Sequence, residues 1–511
     1  MNTAPIRPFE RVDYAIYAVL AGFKMWIHIA TAGRYGIFRD EYYYLACASR
    51  LDWGYVDHPP LSIALLALTR SIFGDSLLAT RLPGIFVSGL VVLLVGLLAR
   101  RLGGGRFAQG LAMLAVVACP MFLGIHSYYS MNVLDHFFWA LAAYVFVLII
   151  QTGNARLWLF FGLICGLGLQ NKTSMAFLGW GLVVAMAFTS QRKWFASPWL
   201  YAGGALALLI YLPNLLWQFA NDYAMIEFMR NAALHKNAPM GPLEYTLEII
   251  KVFHPFLLPV WLLGAAYPFV RSEAAVFRPL AIIFAVVLVT FALTNGKAYY
   301  AAPAFLIAFP LGSVWIERLT EGTKVWRPAI SYVLIFGGLL MAPIAIPMLP
   351  PKMALDYMQA IGIVPKPAEL GHVGDMPQHF ADRFGWQKRA ELVKKASDTL
   401  SPEERAKAVI VSTDYGEAAA MEYYADELQL PPSITGHNNY WIWGPGDATG
   451  EIAIVICEPG DGLLDAFESR VDFGSVDEPY QLNQWRNAHV YVVRNFNRRL
   501  QEAWQDFRVF I

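Results

Sequence analysis

Two neighbouring acids, Asp40 and Glu41, stand just after the first apolar run of the chain and just before three consecutive tyrosines. A reaction in which a hydroxyl or an amine attacks needs a base that takes its proton, and partial burial raises the pKa of a carboxylate toward the range that suits this task. The surface of a membrane provides such burial. Both acids are therefore candidate catalytic groups. The alternative is that they are solvated loop acids, or that they cap a helix begun by the tyrosines.

Asp57 and His58 form a second pair later in the same loop, directly before two prolines. Carboxylate and imidazole groups both suit divalent cations, and the prolines would fix the direction of the loop. Because two adjacent ligands do not make a metal motif, the pair is equally a candidate for substrate binding or for a rigid turn. Asp135 opens a later apolar run, where a carboxylate costs less than at the bilayer centre. It could join the same site or simply cap its helix.

Two lysines stand between apolar runs, with polar or aromatic neighbours. Lys172 lies among amide and hydroxyl side chains, and Lys297 is followed by Tyr299 and Tyr300. An ammonium group at such a place can bind a phosphate, and Arg39 in the first loop could assist. We therefore predict a phosphate-binding set. The alternative for Lys172 is a side chain that extends from a helix end to the membrane surface.

The composition places these residues in a membrane protein. Of the 511 residues, 57% are hydrophobic and 15% are charged, which excludes an ordinary soluble enzyme. No basic domain suggests nucleic acid, and the four scattered cysteines form no CxxC, so we expect no zinc site. The apolar runs predict eleven transmembrane helices, at about 14–32, 80–99, 107–124, 133–150, 156–170, 174–190, 198–218, 247–269, 279–295, 299–316 and 328–348. The shorter run 61–73 predicts a helix that lies in the membrane interface.

The distribution of basic residues predicts the orientation of these helices. With the N-terminus in the cytoplasm, every loop on the cytoplasmic side carries at least one Lys or Arg, in agreement with the positive-inside rule. The first apolar run has no small-residue cleavage site, so we expect it to be a signal anchor. An odd number of helices then leaves the C-terminus outside. We expect a multi-pass protein of the inner (plasma) membrane with its C-terminal part in the periplasm.

The chain changes character after about residue 350, where charged residues return. Stretches 408–412, 452–457 and 490–493 are typical of β-strands, and 417–427 has a helical pattern. We predict a transmembrane domain that carries the chemistry over 1–349 and an exoplasmic soluble α/β domain over 350–511. The soluble part has no GxGxxG, Walker or GxSxG motif, so no nucleotide cofactor is expected. Its aromatic loop 436–445 could stack on a sugar or pack the domain on the membrane region.

These motifs together resemble the GT-C membrane glycosyltransferases of the protein O-mannosyltransferase and lipid A aminoarabinose transferase type, including the RgtA/B/C/D-like bacterial enzymes. The resemblance covers the membrane region best. The matching elements are Asp40-Glu41, Asp57-His58-Pro59-Pro60-Leu61, Arg81-Leu82-Pro83, Asp135, the Lys172 segment and Gly296-Lys297-Ala298-Tyr299-Tyr300, with Tyr415-Gly416-Glu417-Ala418 and Gly436-His437-Asn438-Asn439-Tyr440-Trp441 in the soluble part. The fold expected from this resemblance is an α-helical polytopic membrane protein of the GT-C type.

The resemblance implies an inverting transfer of a sugar from a polyprenyl-phosphate donor, commonly undecaprenyl phosphate in bacteria. The acceptor would be exoplasmic: a lipopolysaccharide or lipid A, another cell-envelope glycan or a protein. Asp40 would be the catalytic base, with Asp135 or Glu41 orienting the acceptor or the sugar. Asp57, with His58, would bind a metal in the aminoarabinose branch. The expected phosphate-binding residues are Lys172, Lys297, Arg39, Arg81 and Tyr299.

A polytopic transporter or lipid flippase with an exoplasmic accessory domain is the main alternative. Transporters usually carry inverted repeats with interrupted helices at matching positions, and we find no internal repeat in this sequence. A non-catalytic scaffold is a third possibility. A scaffold would not need acids and lysines that separate loops bring to one face of the membrane.

Overall fold

The computed structural model describes residues 8–294, 296–364, 369–371 and 373–511. Within these residues, seven helices are long and apolar enough to cross a membrane, and a bent pair, Pro242–Val252 with Pro255–Val270, provides an eighth span if it counts as one. The helices of this region are α1 Arg11–Thr31, α2 Arg39–Ala48, α3 Leu61–Phe73, α4 Leu77–Arg101, α5 Arg106–Ala118, α6 Pro120–Ile125, α7 Met131–Thr152, α8 Leu157–Asn171, α9 Met175–Ala187, α10 Pro198–Ala220, α11 Ala224–Asn231, α12 Pro242–Val252, α13 Leu258–Val270, α14 Arg278–Leu293, α15 Ala302–Leu319 and α16 Trp326–Ala345.

The polytopic helical architecture is therefore confirmed, whereas the count of eleven membrane spans is not. Three predicted spans fall on shorter apolar helices, α5, α8 and α9, and the predicted span 247–269 is bent by 97°. Pro120 begins α6 directly after α5, because a proline has no N–H with which to continue a helix. The predicted span 279–295 ends on a residue that lies outside the described residues. The short run 61–73 forms α3.

Glycines allow the membrane helices to approach closely. A β-carbon on Gly312 of α15 would overlap the backbone carbonyl of Val260 in α13, and one on Gly264 would overlap the carbonyl of Ala308. Helix pairs in a bilayer depend on such small residues, because lipid offers no hydrophobic drive for association. The same contact recurs between Gly162 of α8 and Gly203 of α10. The bundle that holds the candidate site is thus built on backbone-to-backbone packing.

The remaining helices and the strands belong to a small C-terminal sheet domain. They are α17 Pro351–Ala360, α18 Gln378–Ala381, α19 Trp386–Ser397, α20 Pro402–Lys407, β1 Ala408–Ser412, α21 Tyr415–Tyr423, α22 Ala425–Leu428, β2 Ser433–Ile434, α23 Asn439–Trp443, β3 Ile452–Cys457, β4 Phe467–Ser475, α24 Asn483–Asn487, β5 His489–Phe496 and α25 Leu500–Ala503. The sheet order is β2-β1-β3-β5-β4, with β1 parallel to β2 and β3 and with β5 antiparallel to β3 and β4.

The three predicted strands are the central ones, and their apolar runs are buried on both faces. The two strands that the sequence did not predict lie at the sheet edges. β4 is mostly exposed and carries charged residues, as edge strands often do, so it lacks the apolar signal. The domain boundary at residue 350 stays a prediction.

Helix α21 packs the sheet domain on α2, the helix that carries the two acids of the first loop. Tyr42 of α2 shares a hydrogen bond of 3.1 Å with the hydroxyl of Tyr424, and Arg50 lies 2.6 Å from Glu422. The Tyr43 hydroxyl donates to Asn439 at 3.2 Å. The sheet domain therefore sits directly on the candidate site.

Candidate active site

Helix α2 fixes Asp40 and Glu41 in its first turn. The backbone N–H of Phe38, just before the helix, donates to the Glu41 carboxylate at 2.9 Å, so Glu41 closes the first turn in the manner of a capping box. Both carboxylates lie where the helix dipole favours negative charge. Successive residues of a helix face different directions, so one acid points into the bundle and the other can face the opposite side.

Glu41 is the acid that points inward. It is fully buried, and it accepts hydrogen bonds from Arg81 Nε at 2.8 Å, from Arg81 NH2 at 2.6 Å and from the Tyr129 backbone N–H at 2.8 Å. Burial alone would raise the pKa of Glu41, but the Arg81 guanidinium outweighs it and the net pKa lies below the usual range. Glu41 therefore remains charged and anchors α2 to α4.

This geometry gives Arg81 and Glu41 a structural part. Arg81 also donates to the carbonyls of Ala32 and Gly36, and its side chain is 2% exposed. Four of the five N–H donors of this guanidinium are therefore engaged within the protein. Arg81 and Glu41 hold α2 in place, and their parts in phosphate binding and in substrate contact stay predictions.

Asp40 differs from Glu41 in its accessibility. Its side chain is 31% exposed, and its Oδ1 accepts a hydrogen bond of 2.8 Å from the Tyr415 hydroxyl of the sheet domain. Arg39 Nε lies 3.4 Å from the same oxygen. Asp40 is thus a carboxylate held on one oxygen, and it is open enough to meet an acceptor molecule.

Arg39 is buried among acids. Its side chain is 4% exposed, and it lies 3.9 Å from both Glu369 and Asp382 in addition to its contact with Asp40. Burial raises the pKa of Asp382 to about 6, although the Arg39 cation opposes this change. Arg39 thus balances the charge of several carboxylates, and its part in binding the donor phosphate stays a prediction.

Lys297 contacts the same acidic group from the other side. Its Nζ donates to Glu369 at 2.6 Å, and its side chain is 13% exposed. Glu369 also accepts from Gln378 at 3.2 Å. Lys297 could thus turn toward a phosphate only by exchanging its partner Glu369.

Lys172 and Asp135 form the second half of the site. Lys172 Nζ donates to Asn132 at 2.6 Å and lies 5.5 Å from the ring centroids of both Tyr299 and Tyr300. Tyr299 therefore offers its ring face to the ammonium group. Lys172 is half-buried and held by polar and aromatic groups, which argues against a side chain that merely extends to the membrane surface.

Asp135 lies inside helix α7 and does not cap it, because that helix begins at Met131 and is capped by Ser130. Its Oδ2 accepts from the Ser174 hydroxyl at 2.7 Å. No hydrogen bond of good geometry reaches its buried Oδ1 among the described residues, although the Trp139 indole N–H and the Lys172 cation both interact with the carboxylate. A buried carboxylate beside a lysine can hold a donor group of a polar substrate.

Tyr128 connects the two halves. Its ring lies 4.4 Å from that of Phe38, next to the start of α2, and the residue is within electrostatic reach of both Asp40 and Tyr299. Tyr128 thus interacts with Asp40 on one side and with Tyr299, which packs on Lys172, on the other.

The Asp57–His58 pair can be tested as a cation site. Their closest atoms, Oδ1 and Nε2, are 3.8 Å apart, and the buried Nε2 of His58 has no hydrogen-bond partner among the described residues. Asp57 also accepts from the Tyr43 hydroxyl at 3.1 Å. In the part of the chain that the structure describes, no group of three or more His, Cys, Asp or Glu could hold a metal. The residues present do not complete a cation site, so we assign no step to a metal.

The aromatic loop 436–445 packs the sheet domain on the first loop. Asn439 accepts from the Val56 backbone N–H at 2.7 Å through its side chain, and its own backbone N–H donates to the Tyr43 hydroxyl at 3.4 Å. These contacts favour the packing interpretation over sugar stacking. The residues of the site that sequence reasoning missed are Tyr128, Glu369, Asp382 and Tyr415. Of these four residues, only Tyr415 could have been found from the sequence, because it stands in one of the motifs of the soluble part that carry the family resemblance.

Comparison with known proteins agrees with this architecture. Residues 57–217 match the family described as dolichyl-phosphate-mannose-protein mannosyltransferase. An undecaprenyl phosphate-alpha-4-amino-4-deoxy-L-arabinose arabinosyl transferase of Pseudomonas fluorescens is 28% identical over 56% of this chain and 53% of its own length, and one of Pseudomonas paraeruginosa is 30% identical over 60% and 56%. The chain thus spans about half the length of the curated relatives it matches.

A solved structure extends the likeness to the whole fold. The crystal structure of ArnT from Cupriavidus metallidurans bound to undecaprenyl phosphate superposes with a TM-score of 0.59 over 94% of this chain and 97% of that chain, at 13% identity. The same protein in the apo state gives a TM-score of 0.56. Residues 57–217 are thus similar to the dolichyl-phosphate-mannose-protein mannosyltransferase family, and the multi-pass chain as a whole shares the fold of ArnT from Cupriavidus metallidurans.

Proposed function

We propose that this protein is an integral-membrane glycosyltransferase that moves a sugar from a polyprenyl-phosphate donor, such as an undecaprenyl phosphate, to an exoplasmic acceptor. The observation that carries the proposal is that Tyr128 lies within electrostatic reach both of an accessible carboxylate, Asp40, and of Tyr299, whose ring centroid is 5.5 Å from the Lys172 cation. A base and a phosphate-binding cation on the two sides of one site are what such a transfer needs. The names of the arabinosyl transferase relatives support the donor class.

The reaction follows from these positions. The lipid tail of the donor lies between membrane helices, and its phosphate meets Lys172. Asp40 takes the proton of the acceptor hydroxyl or amine while the acceptor atom bonds to the anomeric carbon. The bond from that carbon to the phosphate oxygen breaks on the opposite face, so the configuration inverts. Its electron pair leaves on the phosphate, whose charge Lys172 neutralises.

Lys297 and Asp135 have supporting parts in this scheme. Lys297 exchanges its contact with Glu369 for the phosphate when the donor binds. Asp135 accepts a hydrogen bond from a sugar hydroxyl or amine on the oxygen that Ser174 does not occupy and orients the ring. A divalent cation at Asp57 and His58 remains a prediction, which a chelator can test.

The setting of the reaction is part of the proposal. We propose that the N-terminus is cytoplasmic and that the site and the sheet domain face the periplasm across the inner membrane. The acceptor is then a lipopolysaccharide or lipid A, another cell-envelope glycan or a protein. A sugar that is already linked to a lipid phosphate carries its own leaving group, so no nucleotide is needed there.

The test is sugar transfer by the purified protein in lipid, from a radiolabelled panel of polyprenyl-phosphate sugars to a total membrane extract. Asp40→Asn should abolish transfer while donor binding persists, and Lys172→Ala should weaken donor binding. The matched controls are Asp75→Asn and Lys352→Ala, which alter exposed ion-paired side chains and should behave as wild type.

Two outcomes would count against the proposal. Normal turnover by Asp40→Asn would remove Asp40 as the base. Lipid binding by the wild type without transfer from any donor would favour a flippase instead, to be followed by a transbilayer movement assay. A parallel reaction with EDTA tests the metal, because loss of transfer there would support a cation at Asp57.

A further inference from the structure

We propose that the C-terminal sheet domain completes the active site and that Tyr415, at the start of α21, is a positioning residue for Asp40. This inference rests on the proposed function, in which Asp40 is the base. The Tyr415 hydroxyl is the one group of the sheet domain that donates to the Asp40 carboxylate among the described residues, at 2.8 Å. The soluble part of the chain thereby reaches the reacting group itself.

The direction of this hydrogen bond is fixed by Arg39. Arg39 NH2 donates to the same hydroxyl oxygen at 3.0 Å, and a guanidinium can only donate. The phenolic oxygen therefore accepts from Arg39, and its single proton points at Asp40 Oδ1. Burial raises the pKa of Tyr415 well above its usual value, so the hydroxyl keeps its proton over the working pH range.

Tyr415 is held rigidly enough to orient another side chain. Tyr415 is 5% exposed. The centroid of its ring lies 4.9 Å from that of Tyr43 and 4.8 Å from that of His437. The turn before it is fixed as well, because Asp414 caps α21 by accepting from the Gly416 backbone N–H at 2.7 Å. A rigid support of this kind is what precise placement of a reacting group requires.

The next residue shows that the fit between the two domains is tight. A β-carbon on Gly416 would overlap the Arg39 side chain, so a glycine is needed where Arg39 passes α21. Glu417 follows and forms a buried ion pair with Arg389 of α19, which ties this turn to the body of the sheet domain. Tyr415, Gly416 and Glu417 thus form one contact, through which the sheet domain sets the position of Arg39 and Asp40.

The chemical consequence concerns the two oxygens of Asp40. With Oδ1 held by Tyr415 and Arg39, the carboxylate cannot rotate freely. Oδ2, for which the described residues provide no hydrogen bond, is left to receive the acceptor proton. Removal of the Tyr415 hydroxyl takes away one of the two contacts on Oδ1 and frees the carboxylate to rotate. The rate of transfer should therefore fall.

The test compares Tyr415→Phe with Tyr42→Phe in the full-length protein in lipid, with the donor that the wild type uses. Tyr42 is a matched control because its hydroxyl also bonds across the domain interface, to Tyr424, away from Asp40. We expect Tyr415→Phe to lower kcat by about 10- to 100-fold, the range for one hydrogen bond to a charged group. The donor KM should not change, because the donor phosphate binds away from Asp40, and Tyr42→Phe should match wild type.

The outcomes separate this inference from the proposed function. If Tyr415→Phe keeps the wild-type kcat while Asp40→Asn is inactive, the inference is wrong and the proposed base stands. An active Asp40→Asn removes Asp40 as the base and overturns the inference with it, and a wild type that transfers no sugar refutes the proposed function. If Tyr415→Phe unfolds, Gly416→Ala gives the answer by displacing Arg39, and a kcat like that of wild type would then overturn the inference.

Discussion

The buried ion pair between Glu41 and Arg81 offers the sharpest test of how the site is held. Replacing Arg81 with alanine removes two hydrogen bonds from the Glu41 carboxylate and two from the carbonyls of Ala32 and Gly36. Glu41 is fully buried, so water cannot take the place of the guanidinium. The backbone N–H groups of Phe38 and Tyr129 would still donate to the Glu41 carboxylate, but they do not neutralise its charge.

The size of the effect follows from this uncompensated charge. Removing one partner of a buried ion pair costs about 3–5 kcal/mol of unfolding free energy. Since the pair fixes the first turn of α2, Asp40 should also lose its position, and a misplacement of about 1 Å can cost roughly 100-fold in rate. Arg81→Ala should therefore lower both thermal stability and sugar transfer while some donor binding at Lys172 persists.

The assay is thermal unfolding of the purified protein in detergent, together with the transfer reaction. The control is Arg498→Ala, which breaks an ion pair of 2.8 Å with Asp506 whose side chains are 53% and 63% exposed. Such surface pairs contribute at most about 1 kcal/mol. The double variant Glu41→Gln, Arg81→Gln should recover part of the stability, because no buried charge is left alone. An unfolding temperature for Arg81→Ala equal to that of the control would refute the reasoning.

Two further predictions concern the sheet domain and the helix bundle. Burial raises the pKa of Asp382 to about 6, so the folded state binds the Asp382 proton more tightly than the unfolded state does. The free energy of unfolding should therefore fall as the pH rises from about 4 to 6, by about 3 kcal/mol in total. In thermal unfolding at pH 4–7, Asp382→Asn should remove this pH dependence of stability. A difference in unfolding temperature between Asp382→Asn and wild type that stays the same at every pH would contradict the prediction. Gly312→Val should push α15 away from α13 and lower the unfolding temperature. The control Gly322→Val adds a side chain where there is open space and should leave the unfolding temperature unchanged. Equal losses in the two variants would show that the close helix contact is unimportant.

The sequence predicted those features of the fold whose signals are local. Runs of apolar residues as long as a bilayer is thick indicate membrane helices wherever they occur, and alternating apolar stretches such as 452–457 indicate buried strands. The number of spans was not predictable in the same way, because a break within an apolar run depends on backbone geometry. His254, at the bend between α12 and α13, adopts a φ of 60°, which an apolar pattern does not reveal.

The candidate site was only partly predictable, because its contacts join distant parts of the chain. The first loop supplies Asp40, but the hydroxyl that holds it belongs to Tyr415, 375 residues away. Arg81 illustrates a second limit. A motif reports that an arginine is present, whereas the direction of its side chain depends on the partner that folding brings to it, here Glu41. The role of each residue thus required the packed structure.

The distribution of charge across the site gives the two reactants different places. Around Asp40, the acids Glu369 and Asp382 share Arg39. A phosphate brought to this half would meet carboxylates and be repelled. Lys172, by contrast, faces one acid and two aromatic rings. We therefore expect the anionic donor to enter on the Lys172 side and the neutral or cationic acceptor on the Asp40 side, which places the base opposite the leaving group, as an inverting displacement requires.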